Sequence, residues 1–140
     1  MSFEVTLSRN GRPQLNFVGE PSYCHALEAA PAGSESKLGH DRWLVMVFAA
    51  WSIPDIRAIQ TALDAVKYFD GAIQLGVRPF DDPAEHRSWY PDIAELGATP
   101  AWLLFEDGAL RFQHLGLMTG TSLVEVIKTS FLLADREVAQ

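Results

Sequence analysis

The stretch Leu44-Val45-Met46-Val47-Phe48-Ala49-Ala50-Trp51-Ser52-Ile53-Pro54-Asp55 decides the reading of this chain. Its first part is an unbroken apolar run. A strand reads this way when both of its faces are covered, as in a parallel sheet inside an α/β domain. Its last part is a helix entry. Ser52 is suited to the N-cap, Pro54 to the first turn, where a missing N–H costs little, and Asp55 to first-turn N–H groups where negative charge is favoured.

Working outward, Pro54 to Phe69 carries Ile56, Ile59, Leu63 and Val66 at helical spacing, and Asp70-Gly71 closes it. Ala72 to Val77 reads as a short apolar strand. Asp82-Pro83-Ala84-Glu85 has the N-cap, proline and acid of a helix start, and Pro91 to Leu96 reads as a second short helix. Ala101 to Phe105 and Ala109 to Leu115 flank Glu106-Asp107-Gly108, a hairpin signal. Ser122-Leu123-Val124-Glu125 has the pattern of a capping box, and Leu123, Ile127 and Phe131 fall on one helical face.

On the N-terminal side, Phe3 to Leu7 alternates as a half-buried strand, Asn10-Gly11 signals a turn, and Leu15 to Val18 reads as a second strand. Pro21 to Ala30 reads as a short helix, and Pro31 to His40 as a surface loop. The order β(β)αβαβαββα predicts a mixed central sheet with helices on its faces.

The chain has 140 residues, enough for one domain without a metal or disulfide staple. Its net charge of −7 and lack of a basic cluster argue against nucleic acid and against an anionic membrane surface as partners. The N-terminus is neither basic nor apolar enough for a signal peptide, so a cytoplasmic location is expected. The single cysteine, Cys24, cannot form an internal disulfide and reads as a half-buried apolar residue.

These landmarks resemble the thioredoxin-like superfamily over roughly residues 14 to 134. The apolar strand running into Trp51-Ser52-Ile53-Pro54-Asp55 is similar to the family's Trp-Cys-Gly-Pro-Cys segment and active-site helix. Gly97-Ala98-Thr99-Pro100 looks like its cis-proline loop. Gly116, after the late hairpin, looks like its substrate-contacting glycine. The resemblance implies a single thioredoxin-like α/β/α sandwich over 1–140, with residues 1–13 as an extra N-terminal strand and turn.

Ser52 and Asp55 stand where the family has its two cysteines, and Met46 where it often keeps a buried carboxylate. Disulfide exchange needs a thiolate and a resolving thiol, so that activity is not expected here. By resemblance, Trp51, Ser52, Ile53, Pro54, Asp55, Thr99, Pro100, Gly116 and Leu117 would converge on a surface that grips an extended peptide, with the Thr99 backbone adding it as a strand. The expected function is a non-catalytic chaperone, assembly factor or adaptor for a protein or peptide partner, without cofactor or metal. Thioredoxin-like hydrogenase-maturation chaperones are relatives of this kind. Two alternatives are a glutathione-dependent transferase or one-thiol reductase using Ser52 or Cys24, and a homodimer pairing through the strand at residues 3 to 7.

Three other constellations are weaker. Asp81, Asp82, Glu85 and His86 could hold a divalent metal, but capping accounts for Asp82 and Glu85. Ser52 and Asp55 lack the Gly-x-Ser-x-Gly elbow and a placed histidine for a hydrolytic triad. Trp89-Tyr90-Pro91 is a second aromatic cluster, suited equally to an interface and to packing its own loop on the sheet.

Overall fold

The computed structural model describes residues 3–7, 13–27, 41–50, 52–80 and 99–133. Its centre is β4 (Arg42–Ala49), buried from Trp43 to Ala49 as the apolar run requires. It lies inside a five-stranded sheet with β3 (Cys24–Ala26), β5 (Gln74–Phe80), β6 (Ala101–Glu106) and β7 (Ala109–Leu115), in the order β3-β5-β4-β6-β7. β3 and β4 both run parallel to β5, while β6 is antiparallel to both β4 and β7.

The two faces of β4 carry separate cores. Leu44, Met46 and Phe48 join Trp102, Leu104 and Leu75 beneath α1 (Ile53–Tyr68) and α2 (Gly120–Phe131), which contribute Ile59, Leu63, Val66, Leu123, Ile127 and Phe131. Trp43, Val45, Val47 and Ala49 pack with Ala101, Leu103 and Phe105 on the other face. This alternation is the strand's period of two written in side chains. The helices expected from Asp82 and from Pro91, and the loop Pro31 to His40, lie outside the described residues.

Four expectations change. First, the segment from Pro21 to Leu27 does not form a helix. After a turn, with Cys24 N–H donating to Pro21 O, it becomes β3. Leu75 N–H donates to Tyr23 O and Leu27 N–H to Val77 O, so pairing with β5 overrides the local pattern.

Second, the extra N-terminal piece is a complete hairpin. Among the described residues, β1 (Phe3–Leu7) pairs with β2 (Pro13–Phe17) alone, as a two-stranded sheet apart from the main one. Phe3 and Leu15 bury into the helix-side core, and Glu20 after the hairpin binds Lys67 of α1 at 2.9 Å. The Asn10-Gly11 turn itself lies outside the described residues.

Third, the last helix is capped earlier than the Ser122 pattern suggests. Thr119 is the N-cap, its Oγ1 accepting from Ser122 N–H at 3.1 Å, so Ser122 sits inside the first turn. Fourth, β5 runs from Gln74 to Phe80 rather than from Ala72 to Val77. Pro79 is tolerated because the paired register of β3 ends beside Val77.

The late hairpin stands as expected. Asp107 and Gly108 both have positive φ, at 53° and 80°, which is the geometry a two-residue loop between twisted strands favours.

Gly76 reports on the second core. A Cβ there would lie 2.6 Å from Leu27 Cδ1 and 3.3 Å from the Trp43 ring. Gly76→Ala should therefore lower stability by about 1–3 kcal/mol through overpacking. In chemical denaturation, the same change should cost clearly less when Leu27 is already alanine. Equal costs in the two backgrounds would show that Leu27 does not fill this space.

Candidate functional site

The turn from β4 into α1 is held by one buried carboxylate. Asp55 is 3% exposed, and its Oδ2 accepts from Ala49 N–H at 2.8 Å. Its Oδ1 accepts from the Ser52 hydroxyl at 3.1 Å. Ser52 is the N-cap, extended at φ −107°, and its Oγ accepts from Asp55 N–H at 3.4 Å. Ser52 N–H donates back to Ala49 O, and Ile56 N–H donates to Ser52 O, both at 3.0 Å.

The capping role expected of Ser52 is borne out. Asp55 differs from expectation: it reaches back to the last residue of β4 instead of serving N–H groups of its own first turn. Trp51 lies outside the described residues.

This arrangement occupies the chemistry of both residues. Ser52 has one O–H proton, and it goes directly to a carboxylate with no imidazole between them. Of the described histidines, His25 sits on β3 against Gln74 Oε1 at 2.9 Å, and His114 on β7 opposite Trp102. Met46 is fully buried between Val77 and Trp102 in the strand register, an apolar residue in an apolar place.

Two further loops arrive at the same end of the sheet. Val47 pairs with Ala101, and Ala101 with Leu115. The residues just before β6 and just after β7 therefore lie beside the end of β4, on strands spaced about 5 Å apart. The peptide bond Thr99-Pro100 is cis, and Pro100 is buried. Gly116, at φ 101°, donates its N–H to Pro100 O at 2.8 Å. The Trp102 indole N–H donates to Gly116 O, also at 2.8 Å.

Ile53 and Leu117 are 63% and 62% exposed, and Pro54 is exposed beside Ile53. The described members of the expected surface thus lie at one end of the sheet, but Asp55 and Pro100 are buried there and offer no side chain to a partner, which leaves Ile53, Pro54 and Leu117 exposed and Ser52, Thr99 and Gly116 partly so. The expected strand Ala101 to Phe105 contains Trp102, but its role as a donor is not read from the sequence. A usable signal existed, since a buried indole N–H needs an acceptor.

Cys24 belongs elsewhere. In register it is level with Leu75 and hence with Leu44, five residues before the Ala49 end of β4, or about 16 Å along the strand. Its thiol is half-buried and pushed up to about 11, first by burial and then by the negative Glu20, against the lowering effect of Lys67. At neutral pH it holds its proton, the poor state for a nucleophile.

Among the described residues no group of three or more His, Cys, Asp or Glu side chains could hold a metal, and no helix is long and apolar enough to cross a membrane. Asp81, Asp82, Glu85, His86, Trp89 and Tyr90 lie outside the described residues.

Removing the carboxylate should expose its structural work. Asp55→Ala leaves the buried Ala49 N–H and the Ser52 O–H without their acceptor and should cost about 2–3 kcal/mol in urea denaturation. Asp55→Asn keeps one acceptor oxygen and should cost less. A change below about 0.5 kcal/mol for the alanine variant would mean the carboxylate is not the junction's anchor.

No protein-family model matches this sequence, and no curated protein does. Solved structures do match. One, described as thioredoxin-2, a component of malaria parasite protein secretion machinery, shares 15% identity at a TM-score of 0.54, covering 64% of this chain and 82% of its own. A second comes from work on the thiol resolving mechanism in yeast mitochondrial 1-Cys peroxiredoxin via glutathione/thioredoxin systems. It shares 21% identity at a TM-score of 0.57, covering 76% and 94%. A third, a point mutant of thioredoxin from Halobacterium salinarum, shares 18% at 0.55, covering 80% and 96%. With the strand order described above, these likenesses establish that the chain has the thioredoxin-like fold, built with a single cysteine and therefore without a Cys-x-x-Cys pair.

Proposed function

We propose that this chain is a redox-inactive thioredoxin-like protein that binds a partner polypeptide, as a chaperone, assembly factor or adaptor. The observation that carries the reading is the pairing of Ile53 and Leu117. Both are large apolar side chains, nearly two-thirds exposed, at the sheet end where the β4–α1 turn, the Thr99-Pro100 loop and the loop after β7 meet. Covering what remains exposed of either would contribute about 1–2 kcal/mol. A partner segment lying across both, with its backbone beside Thr99, would gain from each.

The chemistry around them supports a binding role over a catalytic one. Ser52 and Asp55 are engaged with each other and with Ala49 N–H. The one thiol is protonated and lies level with Leu44, five residues from the Ala49 end of β4.

Site-specific photo-crosslinking tests the reading. Benzoylphenylalanine at Ile53 or Leu117 should give a discrete heavier adduct in native extract. The same group at Leu132, 90% exposed just beyond α2, should not. An adduct of twice the chain mass would make the partner a second copy. Indiscriminate adducts from all three positions, or none from Ile53 and Leu117, would contradict a partner site at this end of the sheet.

A further inference from the structure

The family resemblance would have Gly116 touch a partner. Its backbone N–H is not free to do so, and its carbonyl already accepts one hydrogen bond. Its N–H is taken by Pro100 O at 2.8 Å. Its carbonyl is taken by the indole N–H of Trp102, also at 2.8 Å. Trp102 is fully buried, level with Met46 on β4 and His114 on β7, so its ring is clamped on both sides in the sheet. At φ 101°, Gly116 holds a conformation that side-chain-bearing residues rarely adopt, although a Cβ there would meet nothing within 4 Å. The requirement for glycine is therefore conformational and does not reflect a neighbour pressing on it.

We infer that Trp102 is a positioning residue. It locks the loop after β7 so that this side of the site presents the Leu117 side chain, and not a free backbone edge, to its partner. The inference rests on the partner-binding reading and sharpens it. With its N–H taken, Gly116 cannot offer a partner strand the donor and acceptor pair of a ladder residue, so recognition here proceeds by burying an apolar side chain of the partner against Leu117. The next residue, Met118, turns back onto the helix-side core, and Leu117 alone of the pair is left outward. The loop is thus pinned on both sides of the exposed leucine: by Trp102 before it, and by Met118 and the Thr119 cap after it.

The lock predicts two separable results. In the wild type, the Trp102 indole proton and the Gly116 amide should exchange with solvent slowly, in the range of the paired Leu75 amide. In Trp102→Phe, which keeps an aromatic ring but removes the donor, the Gly116 amide should exchange roughly tenfold faster or more relative to Leu75. Crosslinking from benzoylphenylalanine at Leu117 should fall severalfold in the same background, while crosslinking from Ile53 persists.

A wild-type indole proton exchanging like a free indole would overturn the inference even if the variant failed to fold. Unchanged Leu117 crosslinking in a folded Trp102→Phe protein would also overturn it. Absence of any adduct from Ile53 or Leu117 in the wild type would sink the partner-binding reading and this inference with it. Normal adducts with a freely exchanging indole would sink this inference alone.

Discussion

A carboxylate taken out of water must find donors, or burial drives it to give up its charge. Asp55 finds two, the N–H of Ala49 and the hydroxyl of Ser52, and in doing so ties the last residue of the central strand to the first turn of α1. The rest of the site follows from that tie. The direction in which the chain leaves β4 fixes where Ile53 and Pro54 emerge. The register from Val47 to Ala101 to Leu115 fixes which loops lie beside them. Asp55, which by resemblance stands where the family has a cysteine, is part of the framework here. The serine three residues before it caps the helix.

The two sides of the site are held by different means. On the α1 side the Asp55 side-chain oxygens accept hydrogen bonds at a helix start. On the β6–β7 side a neutral indole donates one to a loop carbonyl. Both devices consume polar groups that could otherwise face a ligand. Among the described residues at this end, Ile53, Pro54 and Leu117 are apolar and face outward.

Much of the fold is legible in the sequence because long, strongly patterned segments carry their own signal. The run Leu44 to Ala49, the helical spacing of Ile59, Leu63 and Val66, and the Asp107-Gly108 turn all appear as read. What is not legible is short or nonlocal. β3 spans only Cys24 to Ala26, and nothing in those residues announces a strand; it exists because β5 supplies its partner groups. The Thr119 cap is hidden because Ser122 and the glutamate at 125 also fit a helix start. Within the site, the sequence alone shows that Ser52 and Asp55 carry no sulfur. The acceptor role of Asp55 towards Ala49 and the donor role of Trp102 towards Gly116 need the three-dimensional register. The expected helix near Cys24 also hides the fact that the thiol lies level with Leu44, far from the Ala49 end.

The central claim is that this thioredoxin-like fold works without thiol chemistry. Its most direct test is the reduction of insulin disulfides by dithiothreitol, with and without the protein, beside a Cys24→Ala variant. The account predicts that wild type and variant both leave the reaction at its uncatalysed rate, since the only thiol is raised to about 11 and sits away from Ser52. Wild-type acceleration that disappears in Cys24→Ala would contradict it and make this chain a one-thiol enzyme.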